Sequence, residues 1–124
     1  MTGEFGDFLR KRRIEKKITL REFAAAIGIA PPYLSDIEKG HRYPPDKDKL
    51  YAIAKTLQLS VEDMNLMFDL AGRERANAIS PDLPEYIMAT DNARVALRLA
   101  RDASLGESEW QKLVDLIMQE YVPK

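Results

Sequence analysis

TLREFAAAIGIAPPYLSDIEKG, residues 19–40, contains the start and stop signals of two consecutive helices. Thr19 can cap a helix, and Glu22 three residues later completes a capping box, in which each side chain accepts from the other residue's backbone amide. Gly28 is suited to end that helix because glycine adopts a left-handed turn without strain. Pro31 favours the first turn of the next helix. The stretch therefore predicts two short helices joined by a turn of about three residues.

Apolar residues outside this stretch also recur every three or four positions, which is the helical period, and no run alternates as a strand would. The predicted fold class is all-α. A proline-containing connector is expected at residues 73–84, with at most a helical turn at 83–88. The other predicted helices run from about 6 to 17, 46 to 58, 60 to 72 (closed by Gly72), 92 to 103 and 107 to 121.

The 124 residues are enough for one ordinary domain, or for a small domain with an extension. Because the connector follows the fifth predicted helix, the predicted organisation is a five-helix domain at residues 1–72 and a short helical extension at residues 73–124.

Charge is distributed unevenly although the net charge is only −1. Residues 1–60 contain 12 Lys and Arg against 8 Asp and Glu, a net charge of +4, whereas residues 61–124 contain 7 against 12, a net charge of −5. This asymmetry indicates that the first half binds a polyanion while the second half avoids it or contacts something else. The alternative is that both charge excesses only keep the protein soluble.

Composition excludes most enzyme chemistry. There is no cysteine and only one histidine, His41, so thiolate sites and two-histidine metal motifs are absent from the sequence. No phosphate loop, nucleophile elbow or zinc motif is present. We therefore expect neither catalysis nor a metal or cofactor. No apolar run approaches the roughly 18 residues of a membrane span, and the N-terminus lacks a basic and apolar leader, which predicts a cytoplasmic protein.

Residues 19–29 and 33–40 together resemble the XRE family of phage-repressor-like (Cro/C-repressor) helix-turn-helix regulators, and the resemblance extends over about residues 5–72. In such motifs the second helix enters the major groove of DNA. The resemblance implies a sequence-specific regulator of transcription that binds double-stranded DNA, with a dimeric repressor as the favoured form.

The family also pairs an arginine late in its first helix with a glutamate late in its third, and the matching residues here are Arg13 and Glu38. We expect this pair to be a structural ion pair that holds the recognition helix, the second helix of the motif, in position. Breaking a partly buried pair leaves an uncompensated charge, which costs roughly 3–5 kcal/mol.

The chain departs from the family pattern at Ala30-Pro31-Pro32, where relatives often carry polar residues that reach base edges. One interpretation is that Pro31 or Pro32 contacts a thymine methyl group, with Asp36 accepting from a cytosine amine one turn further on. The other is that the prolines only stiffen the turn, Tyr33 packs on the fold, and sequence is read through DNA shape. Beyond the prolines, the base-reading candidates are Tyr33, Ser35, Asp36 and Lys39; the phosphate-binding candidates are Arg21, Lys39, Arg42 and Tyr43.

The two predicted helices of the second half carry more apolar surface than they can bury by packing against each other. The helix at 92–103 is apolar on two sides, and the last helix carries one apolar stripe. This predicts a homodimer interface, formed by Ala93, Ala96, Leu97, Ala100, Trp110, Leu113 and Ile117. One alternative is that both helices fold back onto the first domain as a monomeric core. Another is an antitoxin-like protein that binds operator DNA through its first half and a toxin or other protein partner through its acidic second half.

Overall fold

The computed structural model describes residues 3–74 and 79–124. Within these residues the chain forms helices and no strand, which confirms the all-α prediction. In chain order the helices are α1 Glu4–Glu15, α2 Leu20–Ile27, α3 Pro31–Glu38, α4 Lys47–Thr56, α5 Val61–Arg73, α6 Pro84–Ala89, α7 Asp91–Asp102 and α8 Glu107–Glu120.

The chain divides into two units, Met1–Pro84 and Glu85–Lys124. Residues 79–84, predicted to be part of the connector, belong to the first unit, and α6 begins at its last residue.

The first unit is built around one apolar core. α2 packs against α3 and α4, while α1 packs against α3 and α5. Each of these helices contributes side chains that are almost entirely buried, because its apolar residues recur at the helical period. The largest buried side chains of the core, including that of Leu57 just after α4, are Phe5, Leu9, Phe23, Leu34, Ile37, Leu50, Ile53, Leu57, Met67 and Phe68.

The capping box and the glycine terminus predicted for α2 are both present in the structure. The Glu22 amide donates to Oγ1 of Thr19 at 3.1 Å, and the Thr19 amide donates to Oε1 of Glu22 at 3.1 Å, which confirms the capping box. Hydrogen bonds from the Thr19 side chain and backbone hold the pKa of Glu22 below its ordinary value. Gly28 has the left-handed φ of 75° that ends the helix.

Gly72 does not end α5, so that part of the prediction is wrong. The helix continues to Arg73, and Gly72 is buried within it. A Cβ atom added there would lie 2.9 Å from the backbone nitrogen of Ser80 and 3.0 Å from the carbonyl carbon of Ile79. Glycine is therefore required for the close approach of residues 79–80 to the helix.

In the second unit, α6 and α7 are linked through Arg94. Its Nη1 group donates to the carbonyl oxygen of Ile87 at 2.8 Å and also to that of Met88 near the end of α6, and Nη2 pairs with Asp91. Ala100 is the buried residue of α7. In α8, by contrast, every residue from 111 to 120 is exposed.

Candidate nucleic-acid interface

The tight turn between α2 and α3 sets the direction of α3. The Ile29 amide donates to the carbonyl of Ala24 at 3.0 Å, and the Leu34 amide donates to the carbonyl of Ala30 at 3.1 Å. Pro31 lies in the first turn of α3, and Ala30 provides no side-chain cap. The second helix of the motif is therefore fixed by the backbone of the turn and by its buried face.

One face of α3 is buried and the other is accessible. Leu34, Ile37 and Glu38 are buried. Because successive residues turn by about 100°, Pro32, Asp36 and Lys39 lie on the opposite side. We call this side of α3, with the residues flanking it, the reading face.

Arg13 and Glu38 hold α3 against α1 with a two-point ion pair. Arg13 Nε lies 2.7 Å from Oε2 of Glu38, and Nη2 lies 3.0 Å from Oε1. Nη1 also donates to the carbonyl of Ile18 at 3.0 Å, just before α2. The side chains are 13% and 4% exposed, respectively. This geometry ties α1, α3 and the start of the motif together.

The two helices also approach closely at Gly6. A Cβ atom added there would lie 2.5 Å from the carbonyl oxygen of Ile37 and 2.6 Å from that of Glu38. The end of α3 therefore rests directly on α1, beside the ion pair.

Lys49 also stabilises the turn of the helix-turn-helix motif, a role that the residue pattern did not predict. Its Nζ group donates to the carbonyl of Ile27 at 2.8 Å and to that of Gly28 at 3.3 Å. A positive charge is favourable at a helix C-terminus, where unpaired carbonyls accumulate. No local signal reveals this contact, because Lys49 comes from α4 and reaches the turn only in the folded chain.

Replacing Lys49 with Met should lower the free energy of unfolding by about 1 kcal/mol, since hydrogen bonds from a charged group to carbonyls are lost but the site is partly solvated. Urea denaturation measures this. Lys55→Met is the matched control, because Lys55 is an exposed lysine on the same helix. Equal effects of the two substitutions would contradict the assignment of Lys49 to the turn.

The predicted DNA-binding residues are distributed around the reading face and its flanks. Ser35 and Asp36 are half-buried. The exposed residues of the set are Arg21 on α2, Pro31, Pro32 and Tyr33 on α3, Lys39 at its end, and Arg42 and Tyr43 in the loop that follows. His41 is exposed in the same loop.

Arg42 contacts two other members of this set. Arg42 Nε lies 3.4 Å from Oδ2 of Asp36, and Arg42 Cζ lies 4.7 Å from the centre of the Tyr33 ring. The residue pattern predicted that Arg42 binds a phosphate group and that Asp36 contacts a base, each independently of the other. Their contact depends on the path of the loop after α3, which the residue pattern does not specify.

Across residues 3–74 and 79–124, no group of three or more His, Asp or Glu side chains could hold a metal ion. No helix in these ranges is long and apolar enough to cross a membrane.

Comparison with known proteins identifies the family. Residues 9–64 match the family model described as "Helix-turn-helix". HTH-type transcriptional regulator Rv0474 of Mycobacterium tuberculosis is 29% identical over 111 residues, which cover 90% of this chain and 67% of that protein. DdrOP3, an HTH-type transcriptional regulator of Deinococcus deserti, is 34% identical over 79 residues, which cover 64% of this chain and 60% of that protein.

A third relative, the ImmF control region 10 kDa protein of Bacillus phage phi105, is 38% identical over 64 residues, covering 52% of this chain and 67% of the phage protein. The chain thus spans about two thirds or less of each of these relatives. It belongs to the XRE-type helix-turn-helix family, as the resemblance predicted. It is a transcriptional regulator with a helix-turn-helix DNA-binding domain.

Proposed function

We propose that this regulator is a dimeric repressor that binds a specific double-stranded operator through the reading face of α3. The observation that carries the proposal is the rigid support of this face. Its buried side is anchored by the Arg13–Glu38 pair, and its accessible side is flanked by cationic side chains. A fixed helix with an accessible polar face suits insertion into the major groove.

The roles of individual residues follow from their chemistry. Arg21, Lys39 and Tyr43 are exposed beside α3 and supply charge or a hydroxyl group to phosphate oxygens, which positions the protein without reading sequence. Pro31 and Pro32 have no amide hydrogen, so their contribution is apolar contact with thymine methyl groups.

Binding to a selected operator should be tighter than binding to a scrambled duplex, and both affinities should fall steeply as salt is raised. Log K falls against log salt with a slope of about −0.9 per neutralised phosphate. Lys39→Ala should weaken binding to both duplexes and reduce the slope by about 1. Fluorescence anisotropy at several salt concentrations measures this. Equal affinity for the two duplexes contradicts a specific reader, and absence of binding at low salt contradicts the whole proposal.

Dimerisation is proposed through the second unit. Large apolar side chains of α7 and α8 remain accessible, including Leu97, Leu113 and Ile117 of the predicted interface. One helix-turn-helix unit contacts one half-site, whereas two units joined at a spacing of about 34 Å engage a complete operator. Ala93 and Ala96 allow a second helix to approach α7 closely, and Trp110 lies at the start of the stripe on α8. Ala100 was predicted to be part of the interface, but it is already buried within the protomer and presents almost no surface to a second copy.

Repression is proposed to arise from occupancy, since a dimer bound across a promoter excludes polymerase without any catalytic group. Transcription in vitro from a template carrying the selected operator should decrease when the protein is added, and a template with a scrambled operator should be unaffected. Increased transcription would identify an activator instead.

The alternative is an antitoxin-like protein, which the excess of acidic residues in the second unit favours, seven against five basic ones over residues 85–124, because an acidic apolar surface suits a basic partner. Co-purification with a small basic protein encoded beside this gene, in a complex that replaces the homodimer, would support the alternative over the simple repressor.

A further inference from the structure

The loop after α3 brings Arg42 back against the reading face. Tyr33 and Asp36 are three positions apart on α3 and therefore neighbours along the helix surface. The Arg42 guanidinium contacts both, with Cζ 4.7 Å from the Tyr33 ring centre and Nε 3.4 Å from Asp36 Oδ2. Cation–π stacking restrains the plane of the guanidinium, and the carboxylate restrains its rotation within that plane.

The contact to Asp36 determines which donors of Arg42 face outward. It uses Nε, while the terminal groups Nη1 and Nη2 carry the other four hydrogens of the guanidinium. The Arg42 side chain is 51% exposed. Two parallel N–H groups on a planar fork match the O6 and N7 acceptors that guanine presents in the major groove.

The charge of Asp36 favours a base over a phosphate as the target of Arg42. The Asp36 side chain is 42% exposed beside Arg42, so a phosphate approaching this arginine meets a like charge. The O6 and N7 edge of guanine carries no net charge. Arg42 in turn compensates Asp36, which reduces the repulsion between that carboxylate and the DNA backbone.

We propose that Arg42 reads a guanine in the operator, with Nη1 and Nη2 donating to O6 and N7, and that Tyr33 and Asp36 are positioning residues for Arg42. This inference rests on the DNA-binding function proposed above and adds the base that this part of the surface recognises. The inference takes the place of two earlier predictions, that Arg42 binds a phosphate group and that Asp36 accepts directly from a cytosine amine.

The test begins with operator selection from a random duplex library by the full chain and by its Arg42→Ala variant at the same salt concentration. We expect the parent to select a guanine at one position of each half-site and the variant to accept any base there. Placing 7-deazaguanine at that position removes the N7 acceptor. This should weaken binding by the parent about tenfold and leave binding by Arg42→Ala nearly unchanged, because one of the two hydrogen bonds of the bidentate contact is lost.

Two further variants test the positioning roles. Tyr33→Phe keeps an aromatic face and should retain the discrimination between guanine and 7-deazaguanine, whereas Tyr33→Ala should reduce it severalfold. Asp36→Asn should also reduce it, because the carboxylate that orients Nε is lost. All variants should melt within a few degrees of the parent, since these side chains are accessible. Loss of discrimination accompanied by a large drop in melting temperature would overturn the positioning roles.

A matched control is Arg21→Ala, which removes the same charge from α2. It should weaken binding to every duplex and leave the guanine preference intact. If Arg42→Ala behaves in this way too, Arg42 binds phosphate and the inference is overturned while the proposed function stands. If the parent binds no duplex at low salt, the proposed DNA-binding function fails, and the inference fails with it.

Discussion

Glu38→Ala should destabilise the first unit by about 3–5 kcal/mol, because it leaves the partly buried Arg13 guanidinium without its carboxylate partner. Arg13 is only 13% exposed, so water cannot replace the lost carboxylate readily. The end of α3 is also the part that rests on α1 at Gly6, and loosening it should displace the reading face. Urea denaturation should show the loss of stability, and operator affinity should fall with it.

Asp36→Ala is the control for this substitution. Both carboxylates lie on α3 and both pair with an arginine, but the Asp36 side chain is 42% exposed and that of Glu38 only 4%. Loss of the Asp36 pair should therefore cost less than about 1 kcal/mol. If Glu38→Ala melts like the parent and loses only DNA affinity, the structural role of the Arg13–Glu38 pair is contradicted.

A double-mutant cycle separates the pair from the burial of each charge. Arg13→Met with Glu38→Leu removes both charges and keeps apolar volume, so the double variant should be more stable than Glu38→Leu alone, and Arg13→Met is the second single variant of the cycle. Greater instability of the double variant would indicate that each residue has other essential contacts, such as that of Arg13 with the carbonyl of Ile18.

Local signals predicted much of the fold because they act within one helical turn. The capping box at Thr19 and the left-handed Gly28 involve residues adjacent in the chain, and both are present. The joining of Arg13 to Glu38 was anticipated through the family resemblance, since no spacing rule connects residues so far apart.

Features that depend on tertiary placement could not be predicted. Gly72 was predicted to end the fifth helix, because glycine often follows the last apolar residue of a helical pattern. Its actual role depends on residues 79–80 packing against it. Lys49 and the contact of Arg42 with Asp36 are of the same kind, since long flexible side chains reach partners that only the folded backbone brings near.

The oligomeric state should respond to the apolar stripe of α8. Leu113 is 37% exposed, Ile117 52% and Tyr121 78%, and large accessible apolar patches of this kind usually mark an interface. In a two-fold dimer each residue of the stripe is buried twice, so one substitution acts on both copies. Fully burying an exposed isoleucine contributes roughly 1.5–3 kcal/mol, and because Ile117 is already about half buried, its two copies together contribute about that amount.

Ile117→Glu should therefore convert the full chain from a dimer to a monomer at micromolar concentration and lower operator affinity about 100-fold or more. The fold of each protomer should persist, because Ile117 is already half exposed. Gln119→Glu is the matched control: it adds the same charge two residues further on, about 200° around the helix. Sedimentation equilibrium and operator titration measure the two effects. A monomeric parent would overturn dimerisation, and a variant that remains dimeric would move the interface away from this stripe.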